Sequence, residues 1–368
     1  MRSSDDKVNL LGMPQATLES FLTDLGEKPF RAGQIMQWIH QRHVNDFESM
    51  TDLSKSLRSR LIEVATISLP KQISEQVSTD GTTKWLFESG AGQAVESVFI
   101  PEENRGTLCI SSQVGCALDC TFCATGAQGF NRNLSAAEII GQVSYANRTL
   151  PKRASGKDAI SNVVFMGMGE PLANYRNIIP ALELLTSDYG YGLSRRRVTV
   201  STSGIVPQMN KLAKDCNVAL AVSLHAPNDE LRDQLVPINR IHPIRELLDA
   251  CWRYAASHSN RFITFEYVML RDVNDTLDHA DQLVKLLSGK PAKLNLIPFN
   301  PFAGNDFKRS GSATIRRFQS RLRERGLVAT TRKTRGDDID AACGQLAGKV
   351  KDRVRARLSE KTKKVATA

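Results

Sequence analysis

The sequence TLCISSQVGCALDCTFCATG, residues 107–126, places three cysteines directly after a short apolar strand. Cys116, Cys120 and Cys123 form a C-x3-C-x2-C pattern, and three thiolates this close together can ligate one metal centre, because soft sulfur ligands favour zinc or iron–sulfur clusters. The spacing also fits three core residues on one helical face, but the glycines at positions 115, 126 and 129 favour a loop. A structural zinc site normally has four ligands, and no fourth Cys or His follows at zinc-finger spacing. The sequence therefore predicts a metal centre with one open coordination position.

Alternating strand and helix patterns continue from this loop towards the C-terminus. The predicted strands are nearly continuous apolar runs, as expected of parallel strands covered on both faces. They lie at 107–112, 160–166, 198–203, 218–224, 262–270, 293–299 and 327–332. Helical patterns separate them near 135–149, 175–187, 205–214, 243–258, 276–288 and 312–325. Ser135 and Glu138 form a capping box at the first of these helices. We therefore predict an α/β fold with a parallel sheet, either doubly wound or curled into a barrel.

Small and polar residues follow four of these strands, at the edge where such folds carry their active sites. The segments are GMGEP at 167–171, STSG at 201–204, SLH at 223–225 and PFNP at 298–301. Each could be ordinary turn chemistry, because Gly, Pro, Ser and Asn often end strands. Four of them at the same edge as the three-cysteine loop favour a small-molecule site.

These motifs resemble those of the radical S-adenosylmethionine (SAM) superfamily. More narrowly, they resemble those of the 23S rRNA adenine-C2 methyltransferases, which in many bacteria also modify tRNA. The similarity extends over nearly the whole chain, including the FRAGQI helix near the N-terminus. It covers CISSQVGCALDCTFCATGAQGFNRNL, MGMGEP, VTVSTSG, AVSLHAP, LIPFNP and RGDDIDAACGQL.

The resemblance implies a partial (β/α)6-type radical SAM barrel with a small helical N-terminal domain and a connecting β-hairpin. It also implies one [4Fe–4S] cluster, two SAM molecules per turnover, 23S rRNA and tRNA as substrates, and an electron donor such as flavodoxin. The methyl group would pass through a methyl-cysteine, which avoids pairing the electron-poor carbon 2 of adenine with the electrophilic methyl of SAM.

The same resemblance assigns a role to individual residues. Cys116, Cys120 and Cys123 would ligate the cluster. Cys343 would carry the methyl group, Cys109 would pair with it in a transient disulfide, and Glu96 would accept a proton. The SAM-binding residues would be Gly169, Glu170, Ser201, Ser223, Leu224, His225 and Asn300. From the residues alone, a single cysteine such as Cys109 is more typical of a small buried hydrophobe.

The N-terminal region has a helical pattern. In FRAGQIMQWIHQR, residues 30–42, Ile35, Trp38 and Ile39 fall on one face of a helix. Two apolar runs at 83–89 and 94–102, joined by GAGQ, predict a hairpin. We predict three parts: an RNA-binding helical domain with its linker at 1–90, the radical SAM core with its catalytic C-terminal loop at 91–348, and a basic tail at 349–368.

The composition restricts the class of partner. The 368 residues include 49 Lys and Arg against 39 Asp and Glu, a net charge of +10, which favours an anionic partner such as nucleic acid. The tail holds eight basic and two acidic residues, consistent with RNA contact or with a solvated segment. No apolar run reaches 18 residues, so we expect no membrane partner. Seven cysteines do not suit a disulfide scaffold, so we expect a cytoplasmic protein.

Two alternatives remain open at this point. A zinc-binding, non-catalytic RNA-binding protein would explain the charge and the three cysteines, but not GEP, Cys343 or the long βα array. A radical SAM enzyme that methylates carbon 8 of an rRNA adenine would use the same cysteines.

Overall fold

The computed structural model describes residues 7–153, 155–257 and 262–350. The strands are β1 (Val8–Asn9), β2 (Ala65–Thr66), β3 (Gln72–Val77), β4 (Thr83–Glu88), β5 (Ala94–Glu102), β6 (Arg105–Cys109), β7 (Gln113–Gly115), β8 (Phe130–Asn133), β9 (Asn162–Phe165), β10 (Val198–Thr202), β11 (Ala219–Ser223), β12 (Ile263–Met269), β13 (Ala292–Pro298) and β14 (Val328–Thr331). The helices are α1 (Gln15–Asp24), α2 (Arg31–Met36), α3 (Lys55–Val64), α4 (Ala124–Ala127), α5 (Ala136–Thr149), α6 (Tyr175–Thr186), α7 (Val206–Asp215), α8 (Asp229–Leu235), α9 (Ile244–Ala256), α10 (Leu277–Leu287) and α11 (Ser312–Glu324).

One mixed sheet of ten strands organises the described residues. Its order is β14-β13-β12-β11-β10-β9-β6-β5-β4-β3. The seven strands from β6 and β9 through β14 run parallel to their neighbours, while β3, β4, β5 and β6 pair antiparallel. Helices connect successive parallel strands. This is the predicted partial barrel, and the predicted hairpin β4–β5 continues its sheet.

The strand and helix predictions of the core are confirmed. All seven apolar runs form strands. The inner strands bury residues under the helices and in the barrel interior, whereas the edge strand β14 buries only Ala329. The capping box at α5 is present: the Ser135 hydroxyl accepts from the Glu138 amide, and the Glu138 carboxylate accepts from the Ser135 amide. This fixes the start of α5.

The N-terminal helices α1 to α3 pack on the core. Ile35 and Ile39 are fully buried, as the helical pattern predicts, and α2 continues into a π-helical turn at Gln37–Gln41. Gly12 permits close packing on α5, because a Cβ there would lie 2.3 Å from the Ala137 nitrogen. The boundary predicted between residues 90 and 91 falls in the turn between β4 and β5, and it stays a prediction.

Several short elements were not predicted. The two-stranded ribbon β7–β8 lies at the base of the cysteine loop, α4 follows the loop, and α8 lies after β11. These elements have four, three or seven residues, too few for a periodic signal. No helix within the described residues has both the length and the apolar character that crossing a bilayer requires.

Candidate active site

The cysteine loop projects from the first parallel strand. The ribbon β7–β8 closes its base, where the Cys116 amide donates to the Gly129 carbonyl at 2.8 Å. Gly115 has φ +79°, and a Cβ there would lie 2.0 Å from the Gly129 oxygen, so the close approach requires glycine. Cys123 lies directly before α4, and its amide donates to the Cys120 carbonyl at 3.1 Å. The loop is not helical, which confirms the prediction from its glycines.

The three thiols face one cavity, the loop cavity, which has a volume of about 110 Å³ and is also lined by Gly169, Glu170 and Ser203. Burial raises the pKa of the Cys116 thiol to about 12, and it also raises the pKa values of Cys120 and Cys123. A coordinating metal removes the thiol proton, so these buried thiols suit metal ligands better than free nucleophiles.

The three cysteines do not converge on a single point. Among the described residues no group of three or more Cys, His, Asp or Glu side chains is arranged to hold one metal ion. In a [4Fe–4S] cluster each cysteine binds a different iron, so three soft ligands around a shared cavity fit that group.

Glu170 lies between the cysteine loop and the strand ends. It is 4% exposed, and burial raises the pKa of its carboxyl to about 7. One carboxylate oxygen accepts from the Leu172 amide at 3.0 Å and the other from the Ser203 amide at 2.8 Å. Gly169 has φ +94°, and a Cβ there would lie 2.4 Å from the Gln113 side chain. A carboxylate accepts about four hydrogen bonds, so Glu170 can still receive an ammonium group.

A second cavity, the central cavity, lies at the carboxyl ends of the parallel strands and has a volume of about 160 Å³. It gathers most of the residues expected to bind SAM. Its lining includes Cys123, Gly169, Glu170, Ser201, Ser223, His225 and Cys343. Leu224 does not line this cavity, because its side chain is fully buried in the core and its amide donates to the Glu266 carbonyl.

His225 is held as a neutral ring. Its Nδ1 accepts from the Val268 amide at 3.0 Å, so the proton of the neutral ring is on Nε2. Burial, together with the charge of the nearby Arg232, lowers the pKa of His225 to about 3. The ring packs edge-to-face on Phe122 of the cysteine loop, with centroids 4.6 Å apart. His225 therefore joins the loop to the central cavity as a hydrogen-bond donor.

A third cavity, the outer cavity, has a volume of about 280 Å³. Cys109, at the end of β6, lies in its wall, and burial raises the pKa of that thiol to about 12, with the charge of Cys343 as the second cause. Cys343 lines both the central and the outer cavity. Cys109 and Cys343 are close but not bonded to each other, so the expected disulfide is not present here.

Asn300 lies in the outer cavity, not the central one. It is 3% exposed, and its Nδ2 donates to the Cys343 carbonyl at 3.1 Å. Its Oδ1 accepts from Arg309 Nη2 at 2.6 Å. Asn300 therefore positions the segment that carries Cys343.

Glu96 lines none of these three cavities within the described residues. One of its carboxylate oxygens lies 3.4 Å from Lys84 Nζ, and the other accepts from the Ala347 amide at 2.9 Å. Lys84 Nζ also donates to the Asp340 carbonyl at 3.3 Å. Lys84 and Glu96 thus contact the chain on both sides of Cys343, at Asp340 and at Ala347, and hold this segment against the hairpin β4–β5.

Sequence reasoning missed Arg332 and Glu266. Arg332 Nη1 lies 3.7 Å from Cys343 Sγ and 3.7 Å from a carboxylate oxygen of Glu266, and both side chains line the central cavity. The one available signal was the polar Glu266 inside the apolar run FITFEYVML. An arginine at the end of a predicted strand, such as Arg332, carries no comparable signal.

A partial parallel barrel with a three-cysteine loop after its first strand, and a buried Gly-Glu pair after its second, defines the radical SAM class of enzymes. Residues 110–287 match the family model described as the radical SAM superfamily. Residues 8–67 match the ribosomal RNA large subunit methyltransferase N-terminal domain.

The closer likeness is to methyltransferases of that class. The chain is 56% identical to the dual-specificity RNA methyltransferase RlmN of Alcanivorax borkumensis over 356 residues, which cover 96% of this chain and 93% of that protein. It is 44% identical, with a TM-score of 0.85, to the crystal structure of a radical SAM methyltransferase from Sphaerobacter thermophilus, which covers 92% of this chain and 99% of that one. The chain belongs to the RlmN family of radical SAM methyltransferases. Membership in this family excludes the zinc-binding, non-catalytic alternative.

Proposed function

We propose that this protein methylates carbon 2 of an adenine in 23S rRNA, and of the adenine 3′ of the anticodon in tRNA, through a methyl group carried on Cys343. The relative from Alcanivorax borkumensis is named as a dual-specificity RNA methyltransferase. The observation that carries the proposal is the position of Cys343 on the wall between the central and outer cavities. A residue there can receive a group on one side and deliver it on the other.

The central cavity suits the cofactors. Cys116, Cys120 and Cys123 would hold a [4Fe–4S] cluster, which when bound supplies the electron for reductive cleavage of SAM. Glu170 would accept hydrogen bonds from the SAM ammonium group. Ser201, Ser223 and the Nε2–H of His225 supply polar contacts for the rest of the molecule.

The outer cavity suits an RNA base that is flipped out of the base stack. Its lining includes the apolar side chains of Val98, Ile100, Met166 and Ile297 and the cationic side chains of Arg105, Lys333 and Arg335. Arg105 pairs with Glu102, and Arg335 lies 3.7 Å from Asp80. An aromatic base fits an apolar lining, and the cations attract the phosphates on either side of it. RNA bound there would present its adenine to Cys343.

The two remaining catalytic assignments concern product release. Cys109 would attack the Cys343 sulfur, breaking its bond to the transferred carbon and forming a transient disulfide. Glu96 would take the proton from carbon 2, which requires its carboxylate to leave the contacts with Lys84 and Ala347. We also propose a flavodoxin-like electron donor and action in the cytoplasm, where rRNA and tRNA substrates and reduced thiols are found.

Paired cysteine variants test the proposal. Cys343→Ala should form no covalent adduct with RNA, whereas Cys109→Ala should trap RNA on Cys343, because the carrier remains and the attacking thiol is gone. Denaturing electrophoresis with and without ribonuclease shows the adduct, and peptide mass spectrometry locates it. Cys216→Ala, which lies outside both cavities, should behave as the unmodified protein.

Nucleoside mass spectrometry identifies the product. Reconstituted enzyme should convert adenosine to 2-methyladenosine in 23S rRNA fragments and in tRNA transcripts. 8-Methyladenosine would show the carbon-8 chemistry instead. An adduct that survives in Cys343→Ala, or none in Cys109→Ala, contradicts the assigned roles.

A further inference from the structure

Arg332 follows β14 and reaches the wall between the two cavities. Its amide donates to the Leu296 carbonyl at 2.9 Å, which extends the pairing of β14 with β13. Its Nη1 then lies 3.7 Å from Cys343 Sγ and 3.9 Å from Met166 Sδ. The guanidinium is therefore the cation next to the sulfur that the proposed function makes the methyl carrier.

Polar groups on three neighbouring strands hold Arg332 in place: the buried Glu266, the half-buried Asn295 and the exposed Thr330. Glu266 on β12 is 4% exposed, and its Oε1 accepts from Asn295 Nδ2 of β13 at 3.0 Å. The side-chain oxygen of Asn295, Oδ1, accepts from the Thr330 hydroxyl of β14 at 2.7 Å. The other carboxylate oxygen, Oε2, has no hydrogen-bond partner among the described residues and lies 3.7 Å from Arg332 Nη1.

The strand register brings these groups together. Glu266 pairs with Asn295, and Asn295 pairs with Thr330. Their side chains therefore stand side by side on the same face of the sheet. The buried Glu266 carboxylate has Arg332 as its counter-charge, and without Arg332 its negative charge would be uncompensated. The arrangement fixes a positive charge at the cavity wall instead of leaving it on a freely moving side chain.

We propose that Arg332 is a positioning residue, held by Glu266 and Asn295, that fixes the Cys343 sulfur on the wall between the cavities and favours its thiolate as the methyl acceptor. This role rests on the proposed function of Cys343. Thiolates, not thiols, are the nucleophiles of cysteine chemistry. The contact of 3.7 Å between Arg332 Nη1 and Cys343 Sγ places this positive charge beside the sulfur.

The test measures Cys343 itself, without RNA or SAM. The reconstituted holoenzyme is treated with a limiting concentration of iodoacetamide at pH 7.5, and the alkylated Cys343 peptide is quantified by mass spectrometry over time. Cys343 is the one exposed cysteine of the seven, all of which are described, so its reaction is readily followed. The variants are Arg332→Ala, Arg332→Lys and, as a control, Lys285→Ala, which removes one exposed charge from α10 and lines none of the three cavities.

We expect alkylation of Cys343 to be about fivefold slower in Arg332→Ala, which corresponds to about 1 kcal/mol. The effect is modest because the Arg332 side chain is a third exposed and water screens its charge. Arg332→Lys should recover at least half of the rate, and Lys285→Ala should stay within twofold of the unmodified protein. After addition of SAM, S-methylation of Cys343 should fall in the same order.

Opposite results overturn the proposal in recognisable ways. If Arg332 only braced the segment, its loss would loosen Cys343 and speed alkylation. An unchanged rate, or Arg332→Lys as slow as Arg332→Ala, would remove the electrostatic role. If the alkylation rates follow the expected order but no variant and no unmodified enzyme methylates RNA, the proposed function fails while the effect of Arg332 on Cys343 stands.

Discussion

Replacing Glu96 with glutamine separates two roles for one carboxylate. In the structure Glu96 pairs with Lys84 at 3.4 Å and accepts from the Ala347 amide at 2.9 Å, so it anchors the Cys343 segment. In the proposed reaction it also takes the proton from carbon 2. The amide of glutamine can still accept from Ala347, but it leaves Lys84 without its counter-charge.

The cost of that change follows from burial. The Lys84 and Glu96 side chains are only 10% and 12% exposed. Breaking a fully buried pair by removing one charge costs about 3–5 kcal/mol. Because Lys84 keeps the Asp340 carbonyl, we expect a loss of about 2 kcal/mol in the free energy of unfolding. For a chain of this length that is a fall of about 3 °C in the melting temperature, since unfolding gains about 2.1 cal/mol/K per residue.

A double variant distinguishes the roles. Lys84→Met with Glu96→Gln removes both charges, so stability should return to within about 1 kcal/mol of the unmodified protein. If Glu96 is the proton acceptor, this stable protein should still complete methylation about a hundredfold more slowly, because proton transfer contributes about 10²–10⁴-fold. It should also accumulate the RNA adduct on Cys343. Thermal unfolding and single-turnover methylation of a tRNA transcript measure the two effects.

The control lies in the same hairpin. Glu88→Gln breaks the exposed pair of Lys71 and Glu88, whose side chains are 79% and 40% exposed, and should change stability by less than about 0.5 kcal/mol. A stable double variant of Lys84 and Glu96 that releases product at the normal rate would refute the proton-acceptor role. A double variant no more stable than Glu96→Gln would refute the coupling of the two charges.

Three further results are expected. Replacing Cys116, Cys120 or Cys123 with alanine should abolish cluster assembly, measured as iron content after anaerobic reconstitution. A variant that still holds four irons would show that the replaced cysteine is not a ligand. Burial lowers the pKa of His40 to about 3 from 6.5, so its neutral form stabilises the fold fully above pH 6.5 and this contribution is lost as the pH falls from 6.5 towards 3. When the pH falls from 7.5 to 5, the free energy of unfolding measured by urea titration should therefore decrease by about 2 kcal/mol less in His40→Phe than in the unmodified protein. An equal decrease in the two proteins would contradict this. Truncation after Val350, which removes a basic tail outside the described residues, should weaken RNA binding and flatten its salt dependence without changing iron content; an unchanged salt slope would indicate a solvated tail.

The parallel sheet could be predicted from the sequence because its signal is local and repeated. Each strand is an apolar run, and each helix between strands has an amphipathic pattern. The cysteine loop was predictable for the same reason, since its three ligands and flanking glycines lie within 15 residues. The position of the candidate site, at the carboxyl ends of the parallel strands, could be predicted from the direction of the strands alone.

The contacts at the cavity wall could not be predicted in this way. Glu266, Asn295 and Thr330 lie on three strands separated by helices, and they meet only because of the register between β12, β13 and β14. Neither spacing nor composition contains that register. A charged residue inside an apolar run, such as Glu266, indicates that the folded protein supplies a polar partner, but it does not indicate which residue that partner is.

The segment that carries Cys343 shows the limit of sequence reasoning most clearly. Apart from one short 3-10 turn and a single bridge at its end, it has no regular structure, and its contacts come from distant parts of the chain. The Gly344 carbonyl accepts from the Ala124 amide, and the Leu346 carbonyl accepts from the Thr125 hydroxyl, both in the helix after the cysteine loop. The segment of Cys343, the proposed methyl carrier, is thus hydrogen-bonded directly to the helix after the cysteine loop. Disturbing either segment should therefore change the geometry of the other, which no pattern within either segment could indicate.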